Sequence, residues 1–235
     1  GGLVPYLRNI PLASRLNKTF QVPVTVLNDG DAAGLAEARI GNLQDCDCGA
    51  TFVLGTGVGL ALTSNGSLIS TWNLKDYLRW PSLGEKQVTP EQKQYQTEIL
   101  RHGISSLVQN LGSAVNFVAN ASRLLELPEE DGVQVFEVLE AGYHEELQDL
   151  FASYCREIAI LIYNLQSLVR LEKVTIGGGI SSQPLLLEEI NHQYKSLMEE
   201  SGEQRFSLVE IQAARYHNSS NLLGAVCHFN ILENH

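Results

Sequence analysis

The sequence predicts an α/β fold, and three observations carry that prediction. Short β-branched and apolar runs alternate with longer segments of helical period, glycine clusters punctuate two of the strand ends, and residues 144–170 repeat apolar side chains at three-and-four spacing. With 235 residues, 44% hydrophobic and 18% charged, the chain can bury a sizeable core as one large unit or two small ones.

The elements follow in order. PLASRLNKTF reads as a short helix, and VPVTVL, from Val22 to Leu27, as a strand with Pro23 near its start. DAAGLAEARIG has helical spacing and a closing Gly41, so Asn28 and Asp29 lie at a strand-to-helix junction. ATFVLGTGVGLALTSNGSLIS reads as two strands joined by a glycine turn, with Asn65-Gly66 turning into a third. Thr71 to Thr97 is polar and without period, and reads as a long loop.

Helical period dominates from Glu91. Leu147, Leu150, Phe151, Tyr154, Ile158, Leu161, Ile162, Leu165, Leu168 and Val169 describe one long helix with a buried face. It feeds the strand KVTIGGGIS, the helix QPLLLEEINHQYKSLMEES, the strand FSLVEIQAA and a closing helix NLLGAVCHFNI.

A net charge of −11 would repel nucleic-acid phosphates and anionic membranes, so neither is an expected partner. The apolar stretches are shorter than a bilayer span, and GGLVPYLRN lacks the basic start and apolar centre of a signal peptide. Four scattered cysteines form no disulfide framework, and the chain reads as cytoplasmic. Cys46-Asp47-Cys48-Gly49 has no second ligand pair at finger spacing and reads as a loop; no metal site is expected. Cys155 and Cys227 read as core thiols.

Two glycine clusters carry chemistry. Gly55, Thr56 and Gly57 stand at a strand end, where bare backbone lets amides approach a phosphate and the hydroxyl adds a donor; a plain hairpin turn is the competing reading. Gly177, Gly178 and Gly179 follow a strand and precede a helix, where open α/β sheets bind ligands; a simple packing turn competes there. Asp29 or Asp31 would also serve as an ordinary helix N-cap.

VLNDGDAAGLAE, FVLGTGVGLAL and VTIGGGISSQP, in this order, together with the ending IQAARYHNSSNLLGAV, resemble the ROK family of repressors, open reading frames and sugar kinases. The resemblance implies an actin-like ATPase (ribonuclease H-like) fold, with the C-terminal lobe and part of the N-terminal lobe. Residues 1–41 would be the remainder of the N-terminal lobe, 42–217 the C-terminal lobe, and 218–235 a closing helix returning toward the first lobe.

By the same resemblance, the activity is phosphorylation of a hexose or amino-sugar hydroxyl, as in glucokinases of carbohydrate metabolism, with ATP and Mg²⁺. Asp29 corresponds to the catalytic base, Asn28 and Glu85 to sugar contacts, and Gly55, Thr56, Gly57, Gly177, Gly178 and Gly179 to the nucleotide loops. The partners implied are a small sugar and a second copy of the chain. His217 would lie near the cleft and is left off the catalytic set.

The chain departs from the family in two places. The Asp-x-Gly-Gly-Thr hairpin that begins family members has no counterpart in GGLVPYLRNIPLASRL, and SLGEKQV keeps only Gly84 and Glu85 of Gly-Glu-x-Gly-His, without the zinc cysteines that follow it. Those departures keep open an inactive truncated kinase and a non-catalytic sugar- or nucleotide-binding remnant. A transcriptional repressor is disfavoured by the acidic charge and the lack of a helix-turn-helix before the sugar-binding part.

Overall fold

The computed structural model of the chain describes residues 10–69, 76 and 89–233. Helix α1 spans Leu12–Phe20 and α2 Asp29–Ile40. Strands β1 (Gly49–Leu54), β2 (Val58–Ser64) and β3 (Ser67–Leu68) follow, then helices α3 (Pro90–Gln109), α4 (Ala114–Leu124), α5 (Gly132–Ala141) and α6 (Glu145–Leu168). Strand β4 (Lys173–Gly178), α7 (Pro184–Glu200), β5 (Glu210–Ala213), a 3-10 turn (His217–Ser219) and α8 (Ser220–Glu233) complete the order.

The five strands form one mixed sheet in the order β3-β2-β1-β4-β5. β1 pairs antiparallel with β2, and β2 with β3, through a turn in which Asn65 and Gly66 both have positive φ, as a type I′ hairpin requires. β1 and β4 pair in parallel, as do β4 and β5, so β1 and β4 end together, Leu54 beside Gly178. The odd topology at β1, antiparallel on one side and parallel on the other, sets the two glycine clusters next to each other.

Strand side chains alternate between faces. Ala50, Phe52, Leu54, Val174 and Ile176 are buried in the main core with α6, which contributes Leu147, Phe151, Ile158 and Ile162. Phe117, Phe136, Phe151 and Tyr154 form its aromatic centre, Phe117 and Tyr154 stacked at 4.6 Å. On the opposite face, the hydroxyls of Thr51 and Thr175 bond to each other at 2.9 Å. Helix α2 lies on that face so closely that a Cβ at Gly34 would collide with Ala61, and α8 crosses α2 with Gly224 against the Ala32 carbonyl.

Four expectations change. Val22 to Leu27 is extended but belongs to no strand, and Val22 and Val26 are half exposed. A β-branched run becomes a strand only beside a ladder partner, and among the described residues the sheet offers it none. Helix α3 starts at Pro90, so residues 90–97 are not loop; Thr89 and Gln92 form a reciprocal capping box at its head. Most of the remainder of that proposed loop lies outside the described residues.

The last strand is also shorter than FSLVEIQAA, with only Glu210–Ala213 in the ladder. Cys155 is fully buried as expected, whereas Cys227 on α8 is half-buried. Among the described residues no helix is long and apolar enough to cross a membrane.

Candidate active site

Asn28, not Asp29 or Asp31, caps α2. Its Oδ1 accepts from the amides of Gly30 at 3.0 Å and Asp31 at 3.4 Å. The same Gly30 amide also donates to Asp29 Oδ1 at 2.9 Å, and Asp29, the first helical residue, is exposed. A Cβ built at Gly30 would lie 3.5 Å from the Gly59 Cα and 3.6 Å from the Leu60 amide, so the first turn of α2 lies against β2 beside the β1–β2 turn. Burial and the neighbouring Asp29 charge push the Asp31 carboxyl above its ordinary range.

The turn at Gly55, Thr56 and Gly57 is held from behind. The Gly55 carbonyl accepts from the amides of Ala114 (3.0 Å) and Val115 (3.4 Å) and from the Ser113 hydroxyl (3.3 Å), while the Thr56 carbonyl accepts from Asn110 Nδ2 at 2.6 Å. In a trans peptide the carbonyl and the following amide point in opposite directions. Holding these two carbonyls inward therefore turns the amides of Thr56 and Gly57 outward, an arrangement that receives an anion. A pocket of about 220 Å³, lined by Val58, Ser106, Leu107, Asn110 and Leu161 among others, lies behind the turn.

The second cluster is built differently. Gly178 has φ +103°, and a Cβ there would run into the Leu54 carbonyl of the adjacent strand, so no other residue fits. Its carbonyl accepts from the Ser181 hydroxyl at 2.8 Å, and that hydroxyl meets His217 Nδ1 at 3.3 Å. Exposed Gly179 faces Asn218, whose Oδ1 is the nearest atom to a built Cβ at 4.0 Å.

Of the residues singled out by sequence, Asn28, Asp29, Gly55, Thr56, Gly57, Gly177, Gly178 and Gly179 thus collect at one end of the sheet, at the carboxyl ends of β1 and β4 and the start of α2. Glu85 lies outside the described residues. Three residues beyond those singled out by sequence shape the site. Asn110, in the left-handed conformation that ends α3, and Ser113, the N-cap of α4, hold the first turn; an Asn-x-Gly-Ser break between two helical runs was their signal.

Glu37 is the third. Fully buried on α2, it accepts from the amides of Asn42 (3.0 Å) and Arg215 (2.9 Å) and so ties the end of that helix to the chain leading into His217. Burial pushes its carboxyl up, and the amides of Asn42, Arg215 and Tyr216 offset part of that rise. No sequence pattern distinguishes it from a solvated helix glutamate.

Comparison with known proteins gives the lineage. The ROK family profile matches residues 4–73 and 101–230. The Beta-glucoside kinase of Listeria monocytogenes is 28% identical over 232 residues, which cover 97% of this chain and 72% of that one. A ROK family protein from Streptococcus pneumoniae TIGR4, solved in complex with sucrose, superposes with a TM-score of 0.68 at 22% identity, over 98% of this chain and 73% of that one. A ROK family glucokinase from Streptomyces griseus, in complex with glucose and AMPPNP, superposes with a TM-score of 0.64 at 21% identity, over 94% of this chain and 72% of its own. These superpositions identify the fold as the α/β, actin-like ATPase type. With the profile covering most of its length, the chain belongs to the ROK family.

Proposed function

We propose that this chain transfers the γ-phosphoryl group of ATP to a hydroxyl of a hexose or amino-sugar, free or as a β-glucoside. The observation that carries the reading is the convergence of an exposed carboxylate, Asp29, with the outward amides of Thr56 and Gly57 at one end of the sheet. The relatives' names support sugar phosphorylation as the shared chemistry.

In this reading the sugar oxygen attacks the γ-phosphorus, the bond to ADP breaks, and the hydroxyl proton passes to the Asp29 carboxylate. Asn28 spends its Oδ1 on the helix cap, leaving Nδ2 to donate to a sugar oxygen. The amides of Thr56 and Gly57 take phosphate oxygens, the Gly177–Gly179 turn takes the nucleoside end, and Glu85 adds a sugar contact. Mg²⁺ accompanies the nucleotide and neutralises its phosphate charge.

Residues 1–41 and 218–235 make up one lobe and 42–217 the other; α8 packs on α2, and α2 in turn lies on the sheet of 42–217. The protein works in the cytoplasm as a homodimer. ADP release with ATP, Mg²⁺ and a panel of hexoses, N-acetylhexosamines and β-glucosides tests the activity. Turnover of one sugar, reduced about 10²–10⁴-fold in Asp29→Asn with unchanged folding, is the expected result. Sugar binding without turnover above that variant would overturn the kinase and leave a binding protein.

A further inference from the structure

The cavity of about 220 Å³ behind the Thr56 turn has walls of two kinds. Val58 of β2, Leu107 of α3 and Leu161 of α6 make it apolar, and Leu107, 60% exposed, puts its mouth at the surface. Gly112 closes one side, for the link from α3 to α4 runs so near β2 that a Cβ there would lie 2.6 Å from Val58 Cγ2.

Two polar groups interrupt the apolar lining. Ser106 is 1% exposed, and its hydroxyl has no hydrogen-bond partner among the described residues. A hydroxyl buried in that way forfeits the bonds water would have given it, and folded proteins leave few such groups unanswered. Asn110, one turn further along α3, donates from Nδ2 to the Thr56 carbonyl, which leaves Oδ1 as an acceptor.

The lining selects its ligand. A hydroxyl group carries both a donor and acceptor lone pairs, so one such group can accept from Ser106 and donate to Asn110. An ion is excluded, because no charged side chain among the described residues lines the cavity to compensate for lost hydration. An apolar cavity of about 150 Å³ takes a benzene ring. The space here therefore admits one ring with a small substituent or two.

We infer that this cavity is a binding site for a small uncharged molecule with one apolar six-membered ring and one hydroxyl, of which a simple phenol is the plainest case. Its occupant also steadies the Thr56 turn. A ligand hydroxyl bonded to Asn110 Oδ1 fixes the same side-chain amide whose Nδ2 holds the Thr56 carbonyl inward, and with it the outward amides. The site lies with α3 and α6, on the face of the sheet opposite α2 and Asp29, and does not depend on the kinase reading.

Methyl and amide NMR on the 235-residue chain tests this without nucleotide, titrating para-cresol and, in parallel, para-xylene, which has the same shape but no hydroxyl. Saturable shifts of the Val58, Leu107 and Leu161 methyls, together with the Thr56 and Gly57 amides, are the expected result. Ser106→Ala should lower the affinity for para-cresol relative to para-xylene by about fivefold. Its thermal midpoint should not fall, since the hydroxyl removed had no partner. Leu107→Trp should fill the mouth and abolish binding of both. No shift at those methyls with about 5 mM para-cresol would overturn the site and leave a cavity that holds only water. Binding that neither variant alters would overturn it too, by placing the ligand elsewhere. Moving methyls beside unmoved Thr56 and Gly57 amides would overturn the link to the turn.

Discussion

The two glycine turns at the end of the sheet look alike in sequence and are glycine for different reasons. Gly178 is dictated by its own chain: positive φ and the Leu54 carbonyl exclude any side chain. Gly55 is not, for a Cβ there would find no atom nearer than the Gly57 carbonyl at 4.0 Å. One glycine answers to packing, and the other leaves room that the folded chain does not use. A glycine of the second kind, in a turn whose amides face outward, is where close approach of a ligand supplies the missing reason.

The largest effect that would test this contrast is on stability. Gly178→Ala should cost about 3 kcal/mol or more, lowering the thermal midpoint by roughly 6–12 °C, because it combines backbone strain with a collision. A midpoint within 2 °C of the parent, about 1 kcal/mol or less, would break the comparison. Gly55→Ala should behave in the opposite way. Its stability should stay within about 0.5 kcal/mol, while nucleotide affinity, read by titration calorimetry, falls about tenfold or more because the added methyl keeps a phosphate away from the Thr56 and Gly57 amides. Unchanged affinity would return the first turn to the status of a plain hairpin.

The smallest effect comes from a control remote from both turns. The Arg156 guanidinium, bonded to Glu200, holds that carboxyl down at about 2 from its ordinary 4.5, with Tyr95 and Ser196 helping. Because the folded value is depressed, this contribution is fully present above the unfolded value and is lost as pH falls from 4.5 through about 2. Arg156→Gln should therefore make the acid side of a denaturation-versus-pH curve shallower, modestly because the pair is partly exposed, and leave nucleotide affinity unchanged. An unaltered acid slope would remove Glu200 from the account.

Much of this architecture was legible because its signals are local. The Asn65-Gly66 hairpin, the spacing in α6 and the Gly-rich strand ends each depend on a few neighbouring residues. The head of α3 is equally local in its Thr89–Gln92 box, but it sits inside a polar stretch whose lack of period hides it. Val22 to Leu27 failed for a different reason, since strand propensity is a preference for a partner and none of the described strands lies beside it.

The candidate site divides along the same line. Sequence alone determined that Asn28-Asp29 opens a helix and that glycines end two strands, because caps and turns are set by the residues that make them. Tertiary structure decided the rest: that Asn28 rather than an aspartate is the cap, that Asn110 turns the amides of the Thr56 loop outward across 54 residues of chain, and that a buried Glu37 joins α2 to Arg215. Those are bonds between segments distant in sequence, and only the parallel register of β1 with β4, together with α2 laid over the hairpin, brings their partners within reach.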